Sequence, residues 1–144
     1  MQTLLFLCTG NYYRSRFAEH LFNALAPKHG LNWMATSRGL ALEWGVDNVG
    51  AISKYALTGL IERQVSMAQD LRYPLPLTEA DLAGAAKIIA VDESEHRPLM
   101  VERFPKWTDA IEYWLVHDVG YTAVDEALQQ IEDNIQQLIE QIRH

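Results

Sequence analysis

Apolar positions along the chain follow two alternating rhythms. Residues 3–7 form a short, almost wholly apolar run closed by Thr9-Gly10-Asn11, the pattern of a strand buried on both faces. From Ser15 the spacing changes: Phe17, Ala18, Leu21, Phe22 and Leu25 recur at helical intervals until Pro27 and Gly30 end the repeat. Residues 32–36 are a second strand candidate, and residues 51–61 a helix with Ile52, Tyr55, Ala56 and Leu60 apolar. Thr78, with Asp81 three positions on, has the spacing of a helix N-cap ahead of residues 82–86. Residues 87–92 predict a third strand, 94–104 a helix and 111–116 a fourth strand. In the last segment Val124, Ala127, Leu128, Ile131, Ile135, Leu138, Ile139 and Ile142 form one stripe, with Asp125, Glu126, Glu132, Asp133 and Glu140 off it. That is a docked helix with a solvated acidic face. Four strands alternating with helices predict an α/β fold with a parallel sheet covered on both faces. Ligands bind such sheets at the carboxyl ends of the strands, here where the first strand hands over to a helix.

No linker, repeat or low-complexity stretch divides the 144 residues, so one domain over 1–144 is expected. Twelve basic against 19 acidic side chains give a net charge of −7, which argues against nucleic acid or an anionic membrane as a general partner. The one cysteine, Cys8, excludes an intrachain disulfide and a cysteine-based zinc site. The first residues lack the basic region of a signal peptide, and no apolar run nears the roughly 20 residues that span a bilayer. The expectation is a soluble cytoplasmic protein.

Chemistry concentrates in Cys8-Thr9-Gly10-Asn11-Tyr12-Tyr13-Arg14-Ser15. A tight loop between strand and helix turns backbone N–H groups on an anion, and the helix N-terminus adds the positive end of its dipole. Arg14 can offer phosphate two parallel donors, which a lysine could not. The same field favours the thiolate of Cys8 as a nucleophile. Gly10 permits the tight turn, and Asn11 tolerates left-handed backbone while its amide braces the loop. Ser15 can donate a hydrogen bond to the sulfur. No GxxxxGK[ST] follows any strand, which excludes a nucleotide P-loop.

Cys8-Thr9-Gly10-Asn11, with Arg14-Ser15, resembles the signature loop of the low-molecular-weight protein tyrosine phosphatases. The likeness extends to chain length, element order and a late acidic loop before the final helix. It implies a three-layer α/β/α domain with a four-stranded parallel sheet and hydrolysis of phosphotyrosine or another aryl phosphate. Cys8 would become a phosphocysteine, Arg14 would clamp the phosphate, and no metal or other cofactor would take part. Thr9, Gly10, Asn11, Tyr12, Tyr13 and Ser15 would line the substrate site. In the family the proton donor lies between the last strand and the last helix, usually followed by proline. Asp118, in His117-Asp118-Val119-Gly120-Tyr121, is the only acid in that place, and Val119 stands where proline is expected, implying a less rigid loop. Tyr13 replaces a frequent second cysteine, Tyr12 replaces a smaller residue at the cleft, and Trp44 falls where members carry an aromatic wall.

Three alternatives share this loop. An arsenate reductase with an internal disulfide relay needs more cysteines than Cys8, leaving only a route through an external thiol. An arginine phosphatase would carry threonine in place of Tyr12. A phosphate-binding module would keep the loop without turnover. The cluster Asp92, Glu93, Glu95 and His96 fits no standard metal-ligand spacing and reads as a strand end followed by a first helical turn, so no metal site is expected.

Overall fold

The computed structural model describes residues 1–67, 71–118 and 122–143. Strand β1 (Gln2–Cys8) leads into helix α1 (Arg14–Leu25), a single 3-10 turn at Ala26–His29, and β2 (Trp33–Gly39). Helices α2 (Lys54–Glu62) and α3 (Glu79–Gly84) precede β3 (Lys87–Ala90) and α4 (Glu93–Arg103), and the chain ends with β4 (Glu112–Tyr113) and α5 (Val124–Ile142). All strand pairs are parallel, in the order β2-β1-β3-β4.

Alternation along β1 sorts the core into two layers. Leu4, Phe6 and Cys8 face α1, α2 and α5, whereas Leu5 and Leu7 face α3 and α4. The apolar stripe of α5 is buried as its spacing requires, with Ile131 and Ile135 wholly inaccessible. Thr78 caps α3 through a reciprocal pair with Asp81, and Gly30 closes the turn after α1 in the left-handed conformation. Among the described residues no helix is long and apolar enough to cross a membrane.

The fourth strand departs from expectation: only Glu112–Tyr113 form a ladder, not residues 111–116. Its partner β3 ends at Ala90 and α4 begins at Glu93, so the edge chain has no straight neighbour to follow. Trp114 N–H and Val116 N–H still donate to the carbonyls of Ala90 and Val91 at 2.8 Å, and the chain bends over the end of β3. This bend carries residues 116–118 to the carboxyl end of β1.

Beyond β1, the chain goes to β2 on one side and returns to β3 on the other, which creates a switch point at the end of β1. A strap, residues 75–77, closes the β2 side: Gly39 N–H donates to the Leu75 carbonyl and Leu77 N–H to the Gly39 carbonyl, both at 2.9 Å. Gly39 is pressed against the β1–α1 loop. A Cβ there would lie 2.9 Å from the Thr9 carbonyl oxygen and 3.2 Å from the Asn11 nitrogen. Backbone cannot yield as a side-chain tip can, so Gly39→Ala should destabilise by about 1–3 kcal/mol, read from the urea midpoint. An unchanged midpoint would show that the loop shifts freely.

Candidate active site

Residues 9–13 join β1 to α1 around a cleft of about 290 Å³, whose walls include Cys8, Tyr12, Tyr13, Arg14, Tyr55 and Asp118. The loop is held from outside by its carbonyls. Those of Cys8, Thr9 and Tyr12 accept hydrogen bonds from the N–H groups of Leu40, Ala41 and Ser53, each at 2.9 Å. In a trans peptide the following N–H points the opposite way, so the amides of Thr9, Gly10 and Tyr13 turn away from that support, the direction in which an anion can be held. Helix α1 starts at Arg14 with no side-chain cap and no acid in its first turn, so no carboxylate there offsets its positive end.

Asn11 sets the loop's shape. It takes the left-handed conformation (φ 51°) and is fully buried. Its Oδ1 accepts from Arg72 Nη1 at 3.0 Å and Leu75 N at 3.1 Å, while Nδ2 donates to Ser15 Oγ and Ser37 Oγ at 2.9 Å. All four amide positions are used, which fixes the orientation of the amide. Because Ser15 Oγ accepts from Asn11, its own hydrogen can point at Cys8 Sγ, 2.9 Å away. Arg72 also donates to the Ser37 carbonyl at 2.8 Å and to Glu19 Oε1 at 3.2 Å, locking the strap to the loop.

Arg14 is 2% exposed and reaches two other segments, residues 92–95 and 116–118. Its Nη1 donates to the Val116 carbonyl at 2.9 Å and its Nη2 to Glu95 Oε2 at 2.8 Å. Asp92 Oδ2 and Asp118 Oδ2 each lie 3.7 Å from one of its terminal nitrogens. Burial disfavours the guanidinium charge, but the Cys8 sulfur, Glu95 and Asp118 more than offset it and raise Arg14 above its ordinary value. Those two bonds take one hydrogen from each terminal nitrogen, and five donors suffice to serve a phosphate as well.

Glu95 and His96 complete this side of the site. Glu95 also accepts from the Thr9 hydroxyl, and His96 Nε2 lies 3.1 Å from both Thr9 Oγ1 and Glu95 Oε2. His96 Nδ1 accepts from the Asp92 N–H at 3.1 Å, which leaves Nε2 carrying the hydrogen. Burial keeps His96 below its usual range, so it acts as a neutral donor. Burial alone would raise Glu95, yet the His96 bond, the Arg14 charge and the Thr9 bond hold it well below the usual carboxylate range. Asp92 caps α4 and Glu93, Glu95 and His96 lie in its first turn, as the spacing implied, but Glu95 and His96 also turn into the site. Periodicity gave no sign of them, because a first-turn acid ordinarily faces solvent.

The aromatic positions divide. Tyr12 donates its hydroxyl to the Val49 carbonyl at 2.5 Å, which fixes its ring as a wall of the cleft. Tyr13 meets the ring of Tyr55 edge-on at 6.2 Å. Burial and the nearby charge of Asp118 push its phenol up to about 12, so it is a neutral wall. Trp44 does not line the cleft: it is 63% exposed on the 3-10 turn Leu42–Gly45, with Arg103 above its ring at 5.9 Å. Tyr55, placed by the Ser53 N-cap of α2, supplies the aromatic wall expected of Trp44. Asp118 lines the cleft and is half-exposed. The reading of Val119 as loosening its loop falls outside the described residues.

The depressed Glu95 carboxyl has a pH consequence. Its contribution to stability is complete above its unfolded value of about 4.3 and disappears as pH falls towards the lower folded value. The melting temperature of the native protein minus that of Glu95→Gln should therefore be constant near neutrality and shrink below about pH 4. A difference that stays constant down to acid unfolding would mean that the carboxylate is not held by Arg14 and His96.

Comparison with known proteins places this geometry. The model of the low molecular weight phosphotyrosine protein phosphatase family matches residues 3–144. The protein-arginine-phosphatase of Bacillus subtilis (strain 168) is 29% identical over 108 residues, covering 75% of this chain and 67% of that protein. Among solved structures, YfkJ from Bacillus subtilis is 28% identical with a TM-score of 0.82, covering 99% of this chain and 95% of that one. The low molecular weight protein tyrosine phosphatase of T. tengcongensis is 26% identical with a TM-score of 0.75, covering 99% and 97%. The match runs through both halves of the sheet and the loop between them: the chain belongs to the low molecular weight phosphotyrosine protein phosphatase family and is a phosphatase acting through a cysteine.

Proposed function

We propose that the cleft hydrolyses phosphotyrosine or another aryl phosphate, with Cys8 as nucleophile, Arg14 as phosphate clamp and Asp118 as proton donor and then base. One observation carries this reading: a buried sulfur at the end of β1 lies 2.9 Å from the Ser15 hydroxyl, in a cleft that also holds a guanidinium and a carboxyl group. Cys8 thiolate attacks phosphorus opposite the phenolic oxygen, and the S–P bond forms as the P–O bond breaks. Asp118 gives its proton to that oxygen. The resulting carboxylate then takes a proton from water as the water attacks phosphorus, and Cys8 leaves as a thiolate steadied by Ser15. A lone nucleophilic thiol suits a reducing compartment, in keeping with a cytoplasmic location.

The relative named as an arginine phosphatase raises a second substrate class. The tyrosines at the cleft favour the first: Tyr12, Tyr13 and Tyr55 offer flat apolar walls to a phenyl ring. A guanidinium leaving group would be served better by carboxylates at those places. Phosphotyrosine and phosphoarginine peptides of one sequence should separate the two, with the larger kcat/KM on phosphotyrosine; a preference for phosphoarginine would overturn the assignment.

Two variants test the roles. Asp118→Asn should slow phosphotyrosine by roughly 10²–10⁴-fold in kcat/KM and nitrophenyl phosphate by less, because nitrophenolate departs without a proton. Equal modest losses on both would reduce Asp118 to a loop residue. Arg14→Lys should leave less than about a tenth of the activity, since a point charge cannot reproduce two parallel donors. Greater retention would mean that the guanidinium does not meet the transferring phosphoryl group.

A further inference from the structure

His117 has no part in the chemistry above, yet it immediately precedes the proposed proton donor and contacts Asp92, which faces the guanidinium of Arg14. Its Nδ1 lies 2.8 Å from Asp92 Oδ2. A carboxylate can only accept here, so the imidazole carries its hydrogen on Nδ1. Asp92 is a firm anchor. Its side chain is 3% exposed, and its Oδ1 accepts from Ser94 N–H at 3.1 Å and Ser94 Oγ at 2.7 Å as the cap of α4. Its Oδ2 also faces Arg14 at 3.7 Å.

Residues 116, 117 and 118 thus meet one buried cluster in succession. The Val116 carbonyl takes Arg14 Nη1, His117 takes Asp92, and Asp118 Oδ2 stands 3.7 Å from Arg14 Nη2. The backbone is tied on either side of His117: Val116 N–H donates to the Val91 carbonyl at 2.8 Å, and Thr122 N–H donates to the Asp118 carbonyl at 3.2 Å. The His117 side chain adds a bond to a buried carboxyl group at the position immediately before the acid.

We propose that His117 is a positioning residue for Asp118, its Nδ1–H bond to Asp92 fixing the segment against Arg14 so that the carboxyl group meets the leaving oxygen. This rests on Asp118 as the proton donor. Loss of the bond should hurt only the step that needs the proton, and the bond should be restored only by a donor at the place of Nδ1. The amide nitrogen of Asn falls near that place, whereas that of Gln falls nearer Nε2.

The experiment compares kcat/KM for phenyl phosphate and nitrophenyl phosphate in His117→Ala, His117→Asn, His117→Gln and Asp118→Asn. The Ala and Gln variants should lose on the order of tenfold more on phenyl phosphate than on nitrophenyl phosphate, the scale of a misplaced catalytic group. The Asn variant should return to within about threefold of the native ratio. Equal losses on both substrates, or Gln rescuing as well as Asn, would overturn the proposal. If Ala proves unstable in a melting assay, the Asn–Gln comparison alone decides. Should Asp118→Asn distinguish the substrates while the His117 variants do not, positioning fails and the proton donor stands. Should Asp118→Asn itself show no leaving-group dependence, the reading of Asp118 falls, and the positioning role falls with it.

Discussion

A guanidinium buried at the end of β1 is the constraint from which the rest of the site follows. Arg14 stands 2% exposed, and a charge so placed is strongly destabilising unless it is paired and hydrogen-bonded. Its partners come from two separated stretches: the Val116 carbonyl from the chain beyond β4, and Glu95 and Asp92 from the first turn and cap of α4. Satisfying one side chain therefore fixes how the β3–α4 turn and the β4–α5 segment dock on the loop. Past the two-residue β4, the chain brings the Val116 carbonyl to Arg14 Nη1.

The loop's opposite side is fixed by a neutral amide. Asn11 in left-handed backbone would be strained if unsupported, and its four hydrogen bonds draw in α1, β2 and the strap. Arg72 then ties that strap to Glu19 and Ser37. The result at the reacting atom is a braced hydroxyl: Ser15 Oγ accepts from the amide of Asn11 and lies 2.9 Å from the Cys8 sulfur, to which it can donate. Preorganisation of this kind matters most when the thiolate must leave phosphorus, because no rearrangement is needed at that moment.

Local signals carried the layers and the loop. The run before Cys8, the stripe of α5 and the Thr78–Asp81 box are readable because each involves neighbours a few positions apart. The site's remaining partners are not local. Arg72 lies 61 residues from Asn11, and Glu95 lies 81 from Arg14. Nothing in their own surroundings marks them: Arg72 sits in an irregular stretch, and Glu95 has the place of an ordinary first-turn acid. Trp44 shows the converse error. Its place in the chain suggested an aromatic wall, but the 3-10 turn Leu42–Gly45 holds it outside while the Ser53 cap brings Tyr55 to the mouth. Sequence patterning fails here where tertiary contacts outrank local preference, and those places gather at the site.

The charge balance around Arg14 bears on how the cleft takes an anion. Glu95, Asp92 and Asp118 surround a single guanidinium, so the net field at its terminal nitrogens is not strongly positive. A dianionic phosphate must then draw most of its attraction from the turned backbone amides and the end of α1, which carry no counter-charge. Arg14 contributes direction more than bulk charge, because carboxylates on one edge of the fork leave its remaining hydrogens aimed in a set plane. On the proposed reading, an anion in this cleft is selected by fit to the turned amides, because one that does not fit meets the nearby carboxylates.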